Sequence, residues 1–187
     1  MVFVKVAISS LLIAGVLSYD WSQFKKQGVV PSIMPREPNQ VAEIFWGTKE
    51  ATLGNTLTPT QMEEEPTVWW NPYRTDYYTV IMSDPDAPSR SNPTIREFLH
   101  WHVSNIPGNA VTFGEVAAAY IGPDPPEGSG LHRYVISVWR QREKLPITQK
   151  IGEEDYDVRN NFNTTQYAID NLLIGPIACN FVQAQAE

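Results

Sequence analysis

Prolines recur along the whole chain and exclude a fold built from long helices. The 187 residues include 15 prolines and 11 glycines. Because proline lacks a backbone N–H and clashes with the preceding helical turn, prolines end helices and mark turns. Between these turns lie short runs rich in β-branched and aromatic residues, which indicate strands. The clearest runs are EIFWG, TVWW, YYTVIM, LHWHVSNI and RYVISVWRQ.

The spacing of these runs predicts one mainly β domain with a few short helices at its margins, since the length suits a single domain. Two segments favour helices: YDWSQFKKQGVVPSIM, in which the helix ends at Gly28, and NFNTTQYAIDNLL. The net charge of −7 and the absence of a basic patch in the sequence argue against nucleic acid as a partner.

The first 18 residues differ in composition from the rest. Lys5 precedes the uncharged run VAISSLLIAGVL, and Val16 and Ser18 occupy the −3 and −1 positions of a cleavage site before Tyr19. This pattern predicts a signal peptide over residues 1–18, a secreted, extracellular domain over residues 19–187, and no transmembrane segment, because a membrane span needs about 20 apolar residues. A buried N-terminal segment is the alternative.

A lone cysteine and one glycosylation sequon are relevant to the expected secretion. Cys179 is the one cysteine of the chain, so no internal disulfide can form. The thiol is either buried or paired with another molecule, and its apolar neighbours in GPIACNF favour burial. The sequon Asn163-Thr164-Thr165 makes Asn163 a candidate glycosylation site if the chain is secreted and the side chain is exposed.

All three histidines lie in two strand-like runs, LHWHV and LHRYV. Because residues i and i+2 of a strand face the same side, we expect His100 and His102 to point together, with Trp101 on the opposite face. The same rule places His132 and Tyr134 on one face of the second run. If the two strands adjoin, the imidazoles and the phenol form a cluster.

Several kinds of chemistry suit these residues. His-x-His with a distant histidine and an aspartate is a legitimate ligand set for zinc or iron, so a small metal-dependent hydrolase or oxygenase is one hypothesis. Nucleophilic catalysis is weaker, because no serine lies in a G-x-S-x-G pattern. Asp84 and Asp86, in DPDAPS, either cap their own turn or supply carboxylates to the cluster.

An anion pocket has the better physical basis. Imidazoles, a tyrosine hydroxyl and backbone N–H groups of a proline-shaped loop can all donate hydrogen bonds to phosphate oxygens. The aspartates would orient the imidazoles, raise their pKa, and receive an ammonium group. Acid and imidazole together therefore suit a zwitterionic phospho-amine.

Longer motifs point to a family. DPDAPSR, REFLHWHVSN and GPDPPEGSGLHRYVISV, followed by NFNTTQYA and GPIACNF, resemble the phosphatidylethanolamine-binding protein family, which includes Raf kinase inhibitor protein. The resemblance covers roughly the whole chain from Tyr19 and suggests a secreted animal member. It implies a large central antiparallel sheet flanked by a small second sheet and a few short helices, with an anion pocket at one end.

The resemblance also implies which residues line that pocket, and it assigns His102 to packing or a local hydrogen bond. The ligand-binding residues that we expect are Asp84, Asp86, His100, Gly122, His132 and Tyr134. The expected ligand is a phospholipid head group or a small phosphate-bearing molecule, bound without catalysis, cofactor or metal. The alternative function is a secreted protein-interaction module, such as a protease inhibitor or a signalling modulator with an extracellular protein partner. Asp124 departs from the small residue that animal members often carry and adds negative charge at the mouth.

Overall fold

A computed structural model describes residues 21–73 and 75–187. The predicted signal peptide lies outside these residues. The strands and helices, in chain order, are α1 (Ser22–Lys26), β1 (Gln40–Val41), β2 (Glu43–Trp46), β3 (Lys49–Glu50), β4 (Thr67–Trp69), β5 (Tyr77–Asp84), β6 (Phe98–Pro107), β7 (Glu115–Ala118), β8 (His132–Gln141), α2 (Tyr156–Arg159), α3 (Thr164–Asp170) and β9 (Ile174–Ala184). Short 3₁₀ turns occur at Thr60–Met62 and Val111–Phe113. No helix in this part of the chain has the length and apolarity to cross a membrane.

Six strands form the main sheet in the order β1-β9-β8-β5-β6-β7. All neighbours pair antiparallel except β1, which runs parallel to β9. A second sheet has the order β3-β2-β4. The fold class is therefore confirmed as mainly β with a large and a small sheet, and the parallel pairing at one edge makes the large sheet mixed.

The small sheet covers one face of the main sheet. Ile44 and Val68 of the small sheet share a buried cluster with Val80, Trp101 and Ile136 of the main sheet. Alternate residues of a strand face opposite sides of the sheet. The main-sheet residues that alternate with those facing the small sheet therefore form a second core on the other face. This rear face packs against the helical segments.

Two separate clusters form that rear core. Phe24 of α1 packs against Phe181 of β9, with ring centroids 5.3 Å apart, and the buried Cys179 belongs to the same cluster. Ala168 of α3 packs against Ile81 and Trp139. Helix α1 ends where the sequence predicts, since Gly28 adopts a positive φ of 67° just beyond it. The ends of β5, β6 and β8 that carry the candidate residues meet at one end of the sheet.

Candidate functional site

A β-bulge determines where His100 points. In the pairing of β5 with β6, Met82 lies opposite Trp101 and Ser83 lies opposite Leu99, so His100 is the extra residue between two paired positions. A bulge of this kind turns a side chain away from simple alternation. The His100 ring consequently lies 5.2 Å from the ring of Tyr134 on β8.

The expectation that His100 and His102 share a face is therefore wrong. His102 lies on the rear face, where its ring is 4.7 Å from that of Tyr167 and its Nε2 is 2.9 Å from Ser104 Oγ. Burial lowers the pKa of His102 to about 4. The three histidines cannot bind one metal ion, and in the described part of the chain no three His, Cys, Asp or Glu side chains are placed to hold one.

Asp84 and His132 form a buried pair at the end of the sheet. His132 Nδ1 donates to Asp84 Oδ2 at 2.7 Å, and the N–H of Asp86 donates to Asp84 Oδ1 at 2.7 Å. His132 Nε2 lies 2.9 Å from the Ser129 hydroxyl, which itself donates to the Pro126 carbonyl at 2.6 Å. Asp84 therefore accepts from one side chain and one backbone N–H, and the Ser129 hydroxyl lies at the other ring nitrogen of His132.

Asp86 does not line the cavity, contrary to expectation. Its carboxylate binds Arg133 through Nε at 2.8 Å and Nη2 at 2.6 Å, and it also accepts the backbone N–H of Arg133 at 2.9 Å. Arg133 is the residue after His132, so it points to the rear face. The remaining guanidinium nitrogen donates to the carbonyls of Gln27 and Gly28. Asp86 thus links the N-terminal segment to the sheet through Arg133.

His100 presents one unpartnered ring nitrogen. Its Nδ1 donates to the Ile121 carbonyl at 2.9 Å, since a carbonyl can only accept. Burial lowers the pKa of His100, and the Asp84 carboxylate opposes this shift only partly. The neutral ring therefore carries its lone pair on Nε2, which has no hydrogen-bond partner among the described residues.

These side chains open into a cavity of about 540 Å³. This volume lies within the range of roughly 300–1,000 Å³ that is usual for small-molecule sites. The expected residues that line it are Asp84, His100, Gly122, His132 and Tyr134. Tyr134 is almost fully buried, and burial raises the pKa of its phenol, so the hydroxyl stays protonated. That hydroxyl has no hydrogen-bond partner in the part of the chain that the structure describes.

Gly122 allows a close approach of two loops at the mouth. A Cβ at this position would lie 3.0 Å from the Met62 carbonyl oxygen and 3.3 Å from Glu63 Cα, both backbone atoms. Any larger residue would push the two loops apart. Gly122 therefore shapes the cavity without offering a functional group of its own.

Sequence reasoning missed part of the lining. Phe98, Tyr120 and Tyr156 add aromatic walls, and Glu63, Glu153 and Glu154 join Asp124 as acidic residues around the cavity. The lining that the structure describes contains no lysine or arginine. No motif marks Glu153, Glu154 and Tyr156. They lie just before α2 and at its first residue, far in sequence from the two histidine runs, and only the fold brings them to the site.

Asn163 is the N-cap residue of α3 and is exposed. Its Oδ1 accepts the N–H of Gln166 at 2.8 Å, which is the ordinary role of an N-cap residue. The sequon hydroxyl of Thr165 donates to the Ile33 carbonyl at 3.0 Å. The cap uses the amide oxygen of Asn163 and leaves its nitrogen, the atom to which a glycan would attach, at the surface.

Comparison with known proteins identifies the family of the chain. The family model described as Phosphatidylethanolamine-binding protein matches residues 47–171. The chain belongs to the phosphatidylethanolamine-binding protein family. The sequence motifs DPDAPSR and REFLHWHVSN, on which the resemblance was based, both lie inside the matched region.

Two animal proteins are among those similar to this chain. Odorant-binding protein A5 of Drosophila melanogaster is 36% identical over 86% of this chain and 78% of its own length. The 26 kDa secreted antigen of Toxocara canis is 38% identical over 87% of this chain, and the match spans 63% of the antigen. Among solved structures, a carboxypeptidase Y inhibitor in complex with its cognate proteinase has a TM-score of 0.76. That match covers 89% of this chain and 94% of the inhibitor at 23% identity, so the likeness concerns the fold.

Proposed function

We propose that this protein binds a small phosphorylated or carboxylated head group, such as that of a phosphatidylethanolamine-like ligand, in the cavity at the end of the main sheet. The observation that carries the proposal is the pair of inward-facing polar atoms without partners, His100 Nε2 and the Tyr134 hydroxyl. Both belong to side chains that are at least 96% buried. Neither atom has a hydrogen-bond partner among the described residues and both residues line one cavity, so both atoms are available to a polar ligand.

The residues that line the cavity would have different roles in binding the anion. The Tyr134 hydroxyl and a protonated His100 would donate to the anion, and the Asp84–His132 pair would form the floor next to it. Binding of an anion would raise the pKa of His100, because a nearby negative charge favours the charged ring. The Asp84 carboxylate, already bound to His132 and to a backbone N–H, would position that imidazole.

The hydrogen bonds around His132 favour a binding role over a catalytic one. Ser129, the hydroxyl nearest to His132, donates to the Pro126 carbonyl, so its proton is directed away from the imidazole that would have to remove it. The similar proteins whose names state a role are named as binding or inhibitor proteins. We propose a binding protein that uses neither a metal nor a cofactor.

The test is calorimetric titration of the purified protein, expressed from the full chain, with phosphorylethanolamine and with inorganic phosphate. We expect saturable binding, and Tyr134→Phe should weaken it about tenfold because a hydrogen bond to a charged group is lost. His132→Ala should abolish it. Tyr73→Phe, at an exposed phenol outside the cavity, is the matched control and should bind as the wild type does.

The melting temperature of each variant shows whether a loss of binding is a loss of folding. Equal affinities of wild type and a folded Tyr134→Phe protein would contradict the proposed site. If neither ligand binds the wild type, the proposed function fails and the protein-interaction hypothesis replaces it.

We also propose that the protein acts outside the cell and carries a glycan at Asn163. Support comes from the N-terminal sequence pattern, from the secreted antigen among its relatives, and from the exposure of Asn163.

A further inference from the structure

We propose that a groove beside Asn163, on the rear face of the main sheet, is a carbohydrate site that holds the first sugars of the chain's own Asn163-linked glycan. The groove shares no lining residue with the cavity at the end of the sheet. The inference rests on the proposed glycan, since the glycan supplies the occupant. The class of ligand is a neutral saccharide built from N-acetylglucosamine, the sugar through which a glycan is joined to asparagine.

Three segments of the chain form this groove, called here the Asn163 groove. They are the N-terminal segment at residues 31–35, the pair Arg96 and Glu97 before β6, and residues 161–166 around the start of α3. The groove has a volume of about 480 Å³. Because small-molecule sites usually have roughly 300–1,000 Å³, a ligand of the size of a disaccharide fits this volume.

The attachment point of the glycan belongs to the groove itself. Asn163 is one of its lining residues. The Asn163 Oδ1 accepts the N–H of Gln166 at 2.8 Å, and its Nδ2 has no hydrogen-bond partner among the described residues. A glycan attaches through this nitrogen and leaves the oxygen to cap the helix. The first sugar therefore starts at the edge of the groove, from an amide group whose orientation is already set.

The covalent link makes weak contacts sufficient for binding. A group on a short tether is held near its site at an effective concentration in the millimolar range. An open groove that binds a free saccharide only weakly is then mostly filled by a sugar attached at its own wall. A free saccharide or a peptide lacks this advantage.

The lining also offers hydrogen-bonding groups that the protein leaves unused. Arg96 donates through Nη2 to the Ser32 carbonyl at 2.6 Å, and its Nε and Nη1 have no partner in the part of the chain that the structure describes. The same is true of the Asn161 side chain and of the Gln166 Oε1, whose own Nε2 donates to Asp170. Sugar hydroxyls and the N-acetyl group both donate and accept hydrogen bonds, so this mixture of donors and acceptors suits a saccharide.

Charge and apolar surface in the groove favour a neutral ligand. The carboxylate of Glu97 is 6% exposed, and its oxygens already accept from the Ser83 hydroxyl and from the hydroxyl and N–H of Thr164. It therefore offers no free negative charge to a cation. Pro31 and Pro35 are exposed and line the groove, so the C–H face of a sugar ring can pack against their rings.

Hydrogen bonds between the three segments give the groove a fixed shape. Thr165 Oγ1 donates to the Ile33 carbonyl at 3.0 Å and joins α3 to the N-terminal segment. Glu97 and Phe162 each donate a backbone N–H to the carbonyl of the other at 2.9 Å. A sugar in the groove contacts all three segments, so it should hold the N-terminal segment more firmly against α3.

The test measures amide hydrogen exchange in residues 31–36 of the native protein. The N–H groups of Ile33 and Met34 donate to the Val29 carbonyl, so their exchange reports on local opening of this segment. Wild type secreted from animal cells, with its glycan verified by mass spectrometry, is compared with unglycosylated wild type from bacteria. We expect exchange about tenfold slower in the glycosylated protein, the factor that one hydrogen bond to a charged group supplies.

Glu50→Asn/Asn163→Asp is the matched control for the bulk of the glycan. It removes the native sequon and creates an Asn-Ala-Thr sequon at positions 50–52, which begins at an exposed residue of the small sheet. The relocated glycan lies on the opposite face of the main sheet, so exchange in residues 31–36 should match that of the unglycosylated protein. Equal protection by the native and the relocated glycan would overturn the proposed site, because bulk alone would then slow exchange.

Arg96→Ala tests the groove itself and should remove most of the protection that the glycan gives. Arg90→Ala is its control, because Arg90 likewise donates to a carbonyl of the N-terminal segment, that of Gln27, but does not line the groove. Arg96 also holds Ser32, so each variant is measured with and without the glycan, and protection is the ratio of the two exchange rates. An unchanged ratio in Arg96→Ala would contradict the site.

The outcomes separate the glycan from its binding site. A secreted wild type of unmodified mass refutes both the glycan and the site. A glycosylated wild type that exchanges as fast as the unglycosylated protein refutes the site alone. Slower exchange that requires both the glycan at Asn163 and the side chain of Arg96 supports the carbohydrate site. None of these measurements depends on a ligand in the cavity, so failure of the anion pocket is a separate result.

Discussion

His102 is a buried imidazole whose protonation opposes folding. Its neighbours are the rings of Tyr167 and Phe162 and the hydroxyl of Ser104, and burial lowers its pKa from 6.5 to about 4. Below its unfolded pKa the unfolded chain binds a proton that the folded chain does not. The stability that depends on neutral His102 is therefore complete above about pH 6.5 and is lost as the pH falls towards 4.

The first prediction concerns this acid sensitivity. Between about pH 7 and pH 5, titration of His102 should remove about 2 kcal/mol from the free energy of unfolding. His102→Gln, which cannot titrate, should lose less stability over the same interval by about that amount. Urea denaturation of both proteins at each pH measures the difference. Parallel pH profiles for the two proteins would show that His102 is protonated equally in the folded and unfolded states.

The second prediction concerns the pH dependence of ligand binding at His100. Because burial lowers the pKa of His100, the free protein holds it neutral near pH 7, and anion binding must bring in a proton. The affinity for sulfate, which does not titrate in this range, should rise by up to about tenfold per pH unit below about pH 7.

His100→Gln should remove this dependence, because the amide cannot take up a proton. Calorimetry in buffers of different ionisation enthalpy counts the protons taken up directly. An affinity for sulfate that is constant from about pH 5 to pH 8 would exclude the imidazolium as a donor.

At the scale of single elements, the bulge in β6 explains why part of the site was predictable and part was not. Strict alternation correctly places His132 and Tyr134 on one face of β8. The same rule fails in LHWHV, because the bulge is a property of the β5–β6 pairing and leaves no mark in a single sequence. The family resemblance, which sets His102 apart, predicted its separate role where periodicity did not.

The N-terminal segment depends on a buried ion pair with the main sheet. Arg133 and Asp86 are 4% and 1% exposed, and Arg133 also donates to the carbonyls of Gln27 and Gly28. The third prediction is that Asp86→Asn destabilises the protein by about 3–5 kcal/mol, because it leaves a buried guanidinium without its counter-charge. Urea denaturation measures the change, and faster tryptic cleavage at Lys25 or Lys26 should show that α1 has loosened.

Glu37→Gln provides the contrast, because the Lys25–Glu37 pair lies at the surface. It should cost less than about 1 kcal/mol. A similar small cost for Asp86→Asn would mean that the Arg133 guanidinium is satisfied by backbone carbonyls alone.

For the whole molecule, the family resemblance implied the two sheets, and the residue patterns located five of the strands. Five strand-like runs correspond to β2, β4, β5, β6 and β8, because each has β-branched or aromatic residues between turn signals. The longest strand, β9, was not among them, since Gly175, Pro176 and Cys179 interrupt its run of β-branched and aromatic residues. The parallel pairing of β1 with β9 joins residues about 140 positions apart, and local periodicity carries no information about such contacts.

The fourth prediction concerns secretion, and a glycan at Asn163 would report on it. N-glycosylation requires entry into the secretory pathway, so the modified protein must have passed through it. When the full chain is expressed in animal cells, we expect the protein in the medium to begin at Tyr19 and to lose mass on treatment with peptide N-glycosidase. Mass spectrometry measures both. Cleavage before Tyr19 would leave α1 intact, since that helix begins at Ser22 and buries Phe24 against Phe181.

Asn163→Asp is the matched control for this prediction. Aspartate caps a helix as well as asparagine does, so α3 keeps the hydrogen bond from Gln166 while the glycan acceptor is lost. The variant should be secreted, with the mass of the unmodified chain. A wild-type protein found in the cytosol with Met1 to Ser18 still attached would contradict the signal peptide. A secreted wild-type protein of unmodified mass would contradict only the glycan. Secretion is measured by the presence of the protein in the medium and by its first residue, whereas glycosylation is measured by its mass.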